Sequence, residues 1–468
     1  MPKAEPARPA TPSADGPVEL LIDPPARAWA GLLERGVSLS GSRGEAAVFR
    51  KALGLPTDRP VVMSGHQCAI YHPGILAKKL AARVFAGGGG AAHAWLWVDQ
   101  DDNDPTRIDL PTRSLDGRLQ RTAWRLDAGP IPAGTPTGSR PALKRVERPD
   151  FEAVGVRKGA VETIARAIEA RAGEASLARQ FAGAGDDLFA SSVGEREPGG
   201  VSVFAASLHE TEAFAELFER MLDDPVACVR AYNEAASAHP EAEIRPLIAN
   251  EKSGRFELPL WRVRPGEPRM PVFAGQAKDI GRDQLSPRAL LMTGLVRMLG
   301  CDLFIHGTGG GKYDRVTEAW FGSWLGVELA PAVVVSATLR LELGGGEVPT
   351  EAEVAEARQR AHKAKHDPSV VGDTASAERK AELLREIERC KEAGEDPSPL
   401  FREMHALLEE YRNRYAEAIA ALESEADRLA AAIDGASVAT ARDWAFALYE
   451  PRQIEALRAE IDRAYAGA

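Results

Sequence analysis

Apolar and polar positions along the chain follow strand-like and helix-like patterns in turn. A short apolar run at 60–64 precedes a helical pattern at 73–85, and a continuous apolar run follows at 93–98. Continuous apolar runs are typical of strands that are buried on both faces of a parallel sheet. Strand, helix and strand in this order predict one βαβ unit.

The same periodicities predict elements along the rest of the chain. Helical patterns occupy 20–54, as short segments, and then 159–182, 210–238 and 287–299. Strand patterns occupy 105–148, as short antiparallel strands, and then 244–248, 256–263, 270–273, 302–306 and 333–341. Three further helices are predicted at 350–365, 375–393 and 398–433. The last is so long that it needs a partner helix, in the same chain or in a second subunit.

Together these elements predict an α/β fold with a Rossmann-like parallel sheet core, an inserted α+β region and a C-terminal α-helical coiled coil. The predicted domains are a disordered leader (1–18), the first half of the core (19–104), the inserted region (105–240), the second half of the core (241–343), the coiled coil (344–436) and a C-terminal helical segment (437–468). We expect the coiled coil to form a homodimer.

Charge and cysteine content narrow the class of protein. The formal net charge of −11 argues against a nucleic-acid partner, because such proteins usually carry a basic surface. Four cysteines without paired spacing fit a reducing compartment, so we expect a cytoplasmic protein. No apolar run has the length of a membrane span, and we expect no membrane partner.

The first candidate site is a glycine-hinged turn between a strand and a helix. Its residues are Gly65, His66, Gln67, His72 and Gly74, and Pro73 suits the first helical position. The start of a helix binds anions through free N–H groups and its dipole, so we expect His66 and His72 to contact a phosphate. Alternatively, the histidines cap the helix or pack in the turn. A zinc site is disfavoured because no second ligand pair has familiar spacing.

The second candidate site is the acidic cluster at 99–104, which directly follows an apolar strand. Ligands bind at the carboxyl ends of strands in open α/β sheets. Asp101 and Asp102 would hold Mg²⁺, a ribose or the amine of a substrate. The alternative is a solvated acidic turn before Pro105.

The third candidate site is a glycine-rich turn after the predicted strand 302–306. Its residues are Gly307, Thr308, Gly309, Gly310 and Lys312. The segment is not a P-loop, because Tyr313 stands where that motif needs Ser or Thr. Its backbone N–H groups would still cradle a phosphate or ribose; the alternative is a flexible turn with Lys312 in solvent. Arg288, at a predicted helix start, would reach into the cleft or simply point to water.

These motifs resemble those of the bacillithiol biosynthesis cysteine-adding enzyme family. The resemblance rests on Gly65-His66-Gln67, the cluster at 100–104, Ser286-Pro287 and the turn at 307–311, in this order within 60–341. It implies a nucleotide-binding Rossmann-like core and a coiled coil used for dimerisation. It also implies an ATP-dependent ligase, with or without Mg²⁺, that joins cysteine to a glucosamine–malate conjugate in the biosynthesis of a low-molecular-weight thiol. Cys68, Asn103 and Lys312-Tyr313 depart from the family pattern.

Two other classes of protein remain open. One is a non-catalytic protein that binds a nucleotide or sugar phosphate and assembles through its coiled coil. The other is a nucleotidyl or glycosyl transferase, because this type of fold supports many chemistries. No residue is assigned as a metal ligand.

Overall fold

The computed structural model describes residues 18–115, 117–127, 129, 132–194, 200–344 and 349–466. The predicted leader therefore lies outside the described residues except for Val18. The start of the predicted coiled coil, at 345–348, and the last two residues of the C-terminal segment also lie outside them.

The described residues form an α/β fold. Its strands are β1 (Val18–Asp23), β2 (Val61–Gln67), β3 (Ala92–Val98), β4 (Arg107–Arg113), β5 (Leu119–Arg125), β6 (Val201–Phe204), β7 (Ala249–Asn250), β8 (Arg255–Arg262), β9 (Met270–Phe273), β10 (Leu285–Pro287), β11 (Leu303–His306) and β12 (Ala332–Leu339). Its helices are α1 (Trp29–Gly41), α2 (Glu45–Ala52), α3 (Pro73–Gly88), α4 (Ala160–Ala170), α5 (Leu177–Ser192), α6 (Glu212–Asp223), α7 (Pro225–Ala238), α8 (Ala274–Ala277), α9 (Ala289–Leu295), α10 (Gly310–Leu325), α11 (Glu351–Ala364), α12 (Thr374–Ala393), α13 (Ser398–Arg414), α14 (Ala416–Thr440) and α15 (Pro451–Tyr465).

A six-stranded, mostly parallel sheet lies at the centre, in the order β1-β12-β11-β2-β3-β6. Only β1 runs antiparallel to its neighbour; the other pairings are parallel. The predicted unit β2-α3-β3 is confirmed. β6 lies within the predicted insertion at 105–240 and is nevertheless a strand of this sheet.

Hydrophobic cores cover both faces of the central sheet. Successive side chains of a strand point to opposite faces. Val62 and Ile305 accordingly join a core with α3, α5 and α15, whereas Met63 and Phe304 join a second core with α7, α9 and α10. The sheet is thus buried between two helical layers, which explains the continuous apolar runs in its strands.

Three predictions about strands are wrong. The segment 20–54 was expected to be helical, but its apolar start belongs to β1, which forms an edge of the central sheet. The predicted strand 244–248 is irregular, and only the two-residue β7 follows it. β8 and β9 exist, but they belong with β7 and β10 to a separate antiparallel sheet rather than to the core sheet. Local pattern identifies a strand without identifying its partner.

Several predicted helices are interrupted. The segment 159–182 spans α4 and the start of α5, and a new helix begins where the Ser176 side chain caps α5. In 210–238, Asp224 caps α7 and Pro225 occupies its first position, so α6 ends there. The predicted helix 287–299 is α9 followed by a π-helical turn, Val296–Gly300. The long helix 398–433 is broken at Tyr415, which leaves helical geometry between α13 and α14.

The C-terminal helices pair within the chain, and the end of the chain returns to the core. α11 packs along α14, and α12 packs along α13. After α14, the Phe446 N–H donates a 2.8 Å hydrogen bond to the Tyr71 carbonyl oxygen. α15 then packs against α3. The segment around Phe446 therefore covers the loop that leads from β2 into α3, and α15 covers the helix itself.

Candidate functional site

β2 and β11 are neighbouring parallel strands, and the chain leaves their carboxyl ends towards opposite faces of the sheet. Ile305 lies opposite Ser64 in the register, so Gly65 and His306 are the next residues on the two strands. From β2 the chain enters α3 on one face, and from β11 it enters α10 on the other. In open α/β sheets, ligands bind in the crevice that such a reversal opens.

Two glycines in the first candidate site allow close approach of the backbone. β2 continues through Gln67, so the predicted hinge at Gly65 is strand, and the chain turns at 68–72 instead. A Cβ atom on Gly65 would lie 2.5 Å from the Leu96 carbonyl oxygen of β3. A Cβ atom on Gly74 would lie 2.9 Å from the Ala337 carbonyl oxygen of β12. Glycine therefore lets β3 and α3 come close to their neighbours.

A buried lysine that sequence analysis missed connects the two glycine segments. Lys78 Nζ donates a 2.6 Å hydrogen bond to the Gly65 carbonyl oxygen and lies 5.6 Å from the centroid of the Trp95 ring. Its Cδ lies 3.9 Å from the position that a Cβ atom on Gly307 would occupy. Burial lowers the pKa of Lys78 to about 7. The two glycine segments thus meet around one partly neutralised ammonium group.

The two histidines of the first candidate site have different roles. His66 Nδ1 donates to the Gln67 carbonyl oxygen at 3.2 Å, and burial, followed by the charge of Lys78, lowers the pKa of His66 to about 3. His72 is the N-cap of α3, because its Nδ1 accepts a 3.1 Å hydrogen bond from the Gly74 N–H. Burial is the main cause that lowers the pKa of His72 to about 4. Both imidazoles are therefore neutral at pH 7, and His72 fits the alternative in which it caps the helix.

Arg269 pairs with both aspartates of the second candidate site, Asp101 and Asp102. Asp101 Oδ2 accepts a 2.7 Å hydrogen bond from Gln67 Nε2, and its Oδ1 accepts one of 2.9 Å from Arg269 Nη1. Arg269 Nη2 donates to Asp102 Oδ1 at 2.6 Å. Burial acts to raise the pKa of Asp101, but the bonds from Gln67 and Arg269 outweigh it and hold that pKa below its usual value. Asp101 is thus tied to the end of β2, and both carboxylates are paired.

Asp99 is a second buried carboxyl group at this edge. Its Oδ1 accepts a 2.8 Å hydrogen bond from the Ala206 N–H, just beyond β6. Burial raises the pKa of Asp99 to about 6 despite this bond. Asp99 therefore fixes the end of β3 to the segment after β6 and titrates near neutral pH.

The glycine-rich turn of the third candidate site lies at the same edge. Gly307 to Gly309 follow β11 directly, and Gly310 begins α10. Thr308, Gly309 and Lys312 are exposed. No side chain among the described residues caps α10. The N–H groups of Gly311 and Lys312 instead donate to the carbonyl oxygens of Gly307 and Gly309, both at 3.3 Å.

The position of Arg288 corrects the prediction for that residue. Arg288 precedes α9, and its Nη2 donates to Glu257 Oε1 at 2.7 Å while its Nε donates to the Leu260 carbonyl oxygen at 3.2 Å. The guanidinium also lies 3.8 Å from the centroid of the Trp261 ring. Arg288 therefore neutralises a fully buried glutamate instead of facing the cleft or water, because an unpaired buried carboxylate would be strongly destabilising.

His306, the last residue of β11, begins a series of close side-chain contacts. Its Nε2 lies 2.5 Å from Asp314 Oδ2, and Asp314 Oδ1 lies 3.0 Å from Arg297 Nη1. The contact between Arg297 and Asp314 is an ion pair, and neither contact has the alignment of a hydrogen bond. Arg297 also pairs with Glu318 at 2.5 Å. The series runs from the end of β11 along the first half of α10.

The missed residues differ in the signal that they left in the sequence. Lys78 lies four residues after Gly74, in a helix predicted between two buried strands. The burial of this lysine could therefore have been predicted. His306 ends a predicted strand directly before a glycine-rich turn. Arg269 left no signal, because it reaches Asp101 and Asp102 from a loop far away in sequence.

The described part of the chain shows neither a metal cluster nor a membrane span. It contains no group of three or more His, Cys, Asp or Glu side chains arranged to hold a metal ion. None of its helices combines the length and the apolar character that crossing a bilayer requires. No protein-family model matches the chain, and no curated protein matches it at a significant level.

Proposed function

We propose that this protein is an ATP-dependent ligase of the cysteine-adding type, which forms an amide between cysteine and an amino-sugar conjugate. ATP is a substrate in this proposal, and its phosphates bind at the carboxyl ends of β2 and β11. Support comes from the resemblance of the motifs and from the reversal of chain direction between these strands.

Lys78 is the single observation that carries the proposal. Its ammonium group is almost completely buried, and its hydrogen bond goes to a neutral carbonyl oxygen. A buried cation is unfavourable unless an anion compensates it. A phosphate oxygen at Lys78 would supply that anion through a charge-assisted hydrogen bond.

The surrounding groups fit a phosphate better than a metal ion. The turn Gly307-Thr308-Gly309 before α10 lies with Gly307 beside Lys78, and its backbone N–H groups would donate to a phosphate there. Asp101 and Asp102 are both paired with Arg269, so we assign no step to Mg²⁺ at that pair. When bound, ATP supplies the phosphoryl or nucleotidyl group that activates a carboxylate for attack by an amine.

Calorimetry with ATP tests the binding step. Wild type should bind ATP, and Lys78→Met should weaken binding by about 10- to 100-fold, as expected for a lost hydrogen bond to a charged group. His66→Ala should also weaken binding, since His66 lies next to Gly65. Wild type that fails to bind ATP, with or without Mg²⁺, would contradict the proposal.

Lys79→Met is the matched control for Lys78→Met. Lys79 is also buried on α3, but it pairs with Asp186 and lies over Phe189 instead of contacting the glycine segments. We expect Lys79→Met to lower stability and to leave the ATP affinity of the folded protein unchanged. Thermal melting of each variant ensures that only folded protein is compared.

A non-catalytic nucleotide-binding protein is the second candidate function. It is favoured by two observations: His72 caps α3, and Arg269 already neutralises Asp101 and Asp102. ATP binding without amide formation from cysteine and glucosamine–malate would support this candidate over the ligase.

The remaining features of the fold extend the proposal. We propose that the sheet is a Rossmann-like core, that α11 to α14 act as a coiled coil in a cytoplasmic homodimer, and that Leu384 of α12 lies in the dimer contact. Leu384 is a large apolar side chain that is 46% exposed. Leu384→Glu should convert the dimer to a monomer in sedimentation velocity, and a wild-type monomer would contradict this part of the proposal.

A further inference from the structure

A cavity of about 660 Å³ lies between three helices at the amino end of β2. Residues of α1, α3 and α15 form its wall, together with Pro60, which directly precedes β2. α3 begins after the carboxyl end of β2 and ends at this cavity, so about 21 Å of helix separates Gly74 from Gly88. The cavity therefore lies at the opposite end of the strands from the candidate phosphate site.

Apolar side chains form most of the wall. Leu33 and Val37 belong to α1, Phe85 belongs to α3, and Tyr465 belongs to α15. The rings of Phe85 and Tyr465 both pack edge-on against Trp29, with centroids 5.3 and 5.2 Å from it. Trp29 is fully buried, so the aromatic part of the wall is fixed from below. Val37 is 39% exposed, which leaves part of the apolar wall accessible to a ligand.

The two charged residues of the wall, Glu34 and Asp462, are both acidic. Glu34 lies between Leu33 and Val37 on the face of α1 that lines the cavity, where an apolar residue would continue the stripe. Among the described residues, no ion pair or hydrogen bond involves the Glu34 carboxylate. Asp462 Oδ2 lies 3.8 Å from Arg458 Nε, which is too far for a hydrogen bond. Both carboxylates can therefore accept hydrogen bonds from a ligand.

The carboxyl end of α3 adds to the negative potential. α3 ends at Gly88, and the N–H of Gly89 donates a 3.2 Å hydrogen bond to the Phe85 carbonyl oxygen. The last carbonyl groups of a helix carry the negative end of its dipole and favour a cation nearby. A Cβ atom on Gly88 would meet no neighbouring side chain within 4 Å, so the space beside this helix end is open.

These features fit an organic cation better than other kinds of ligand. An anion would be repelled by Glu34, by Asp462 and by the helix end. A wholly apolar molecule would take carboxylates out of water without compensation. A metal ion is disfavoured, because the described part of the chain has no group of three or more His, Cys, Asp or Glu side chains that could hold one. An ammonium group on an apolar body would instead satisfy both parts of the wall.

We propose that this cavity binds a small organic cation, in which an ammonium group is joined to an apolar or aromatic body. The ammonium group contacts the Glu34 carboxylate, and Asp462 adds to the negative potential. The body of the ligand packs on Phe85 and Tyr465. The site is separate from the proposed ATP site and does not depend on it. The alternative is a surface depression in which both carboxylates are only solvated.

Ligand-observed NMR titrations of the full-length protein test the site with probes that share a phenyl body. The probes are the cation 2-phenylethylammonium, the neutral 2-phenylethanol and the anion 3-phenylpropanoate. The cation should bind at least about tenfold more tightly than the alcohol, because only the cation forms charge-assisted hydrogen bonds. The anion should bind more weakly than the alcohol. Glu34→Gln should weaken binding of the cation by about fivefold or more and leave binding of the alcohol unchanged.

Glu455→Gln is the matched control for Glu34→Gln. Glu455 is an exposed glutamate of α15 that does not line the cavity, so its substitution changes the net charge equally without touching the site. This variant should bind the cation as tightly as wild type. Asp462→Asn should have a smaller effect than Glu34→Gln, and the double variant should bind the cation about as weakly as the alcohol. Because these residues are exposed, thermal melting should show that all variants remain folded.

Three results would overturn the inference. One is a cation that does not bind at about 10 mM, and another is a cation that binds no more tightly than the alcohol. The third is an equal effect of Glu34→Gln and Glu455→Gln, which would mean that the net negative charge of the protein attracts the cation without a site.

ATP binding separates this inference from the proposed function. Glu34→Gln should bind ATP like wild type, and ATP should not displace the cation. Wild type that binds the cation but no ATP would contradict the proposed function alone. Wild type that binds ATP but not the cation would contradict this inference alone.

Discussion

The buried charges at the two ends of β2 and β11 differ in whether an opposite charge neutralises them. At the amino ends, Asp302 accepts hydrogen bonds from Ser40 Oγ at 2.6 Å, from Arg50 Nη2 at 2.8 Å and from the Val61 N–H at 2.7 Å. At the carboxyl ends, Lys78 is equally buried, but its hydrogen bond goes to a neutral carbonyl oxygen. The same pair of strands therefore holds one compensated charge cluster and one uncompensated charge.

This difference separates a structural cluster from a candidate binding site. A buried charge with an opposite charge and additional hydrogen bonds holds elements together, here α1, α2 and β11. A buried charge without such a partner destabilises the fold and is retained where it has a ligand to bind. Substitutions at these buried charges, and at the exposed Lys312, test this distinction.

Asp302→Ala should produce the largest loss of stability. Removal of Asp302 leaves Arg50 buried without its counter-charge, for which a loss of about 3–5 kcal/mol in unfolding free energy is expected. Urea denaturation measures this loss, and ATP affinity of the folded variant should not change. Ser40→Ala, which removes one neutral hydrogen bond to the same carboxylate, is the control and should lose only about 1 kcal/mol. If Asp302→Ala loses less stability than the Ser40→Ala control, the structural role of Asp302 is contradicted.

His66→Gln should protect the protein against acid. Burial first, and then Lys78, lower the folded-state pKa of His66 from 6.5 to about 3, so the unfolded chain takes up the proton first. Wild type therefore loses stability as the pH falls from 6.5 towards 3, and the loss from His66 is about 3 kcal/mol at pH 4. Urea denaturation at pH 7 and at pH 4 measures this loss of unfolding free energy. The decrease between the two pH values should be smaller for His66→Gln than for wild type, by the contribution of His66.

Asp99→Asn is the control for the direction of the acid effect. The folded-state pKa of Asp99 is raised from 3.8 to about 6, so its ionisation disfavours folding above pH 6, and this effect disappears as the pH falls through 3.8. Wild type gains stability from Asp99 on acidification, opposite to its loss from His66. Asp99→Asn should therefore be more acid-sensitive than wild type, and equal slopes for the two variants would contradict the assignment.

Lys78→Met should stabilise the protein while it weakens ATP binding. Burial lowers the pKa of Lys78 from 10.5 to about 7, which corresponds to roughly 5 kcal/mol against folding at pH well below 7. The unpaired Gly65 carbonyl oxygen offsets about 1–3 kcal/mol of the gain. A net increase of about 2 kcal/mol is therefore expected at pH 6, and it should shrink as the pH rises through 7 towards 10.5. A destabilised variant at pH 6 would place Lys78 with the structural cluster.

Lys312→Ala should have the smallest effect. Lys312 is exposed in the first turn of α10, so its charge is screened and its loss should leave the melting temperature unchanged. ATP affinity should fall by less than about tenfold, and this difference should shrink in high salt. A loss as large as that of Lys78→Met would move the centre of phosphate binding from the buried lysine to the exposed turn.

The sequence predicted the local elements around the site better than the contacts within it. β2, α3, β3, β11 and β12 follow from apolar runs, from helical spacing and from Pro73 at the start of α3. The antiparallel sheet that contains β8 and β9 was not predicted as a separate unit, because an apolar pattern identifies a strand but not the sheet to which it belongs, and β8 pairs with its neighbours in sequence, β7, β9 and β10. As a consequence, the pairing of Arg269 with Asp101 and Asp102 and the burial of Arg288 against Glu257 were also missed.

Apolar strands that lead into helices through Gly65 to Gly74 and through Gly307 to Gly310 are predictable from the amino-acid sequence, because periodicity and helix-start chemistry act over a few residues. The folded chain was needed to show that these segments meet, that the ammonium group of Lys78 is buried between them, and that Arg50 neutralises Asp302. Desolvation and ion pairing depend on which distant side chains and backbone groups surround a charge, and strand order and helix packing set those neighbours.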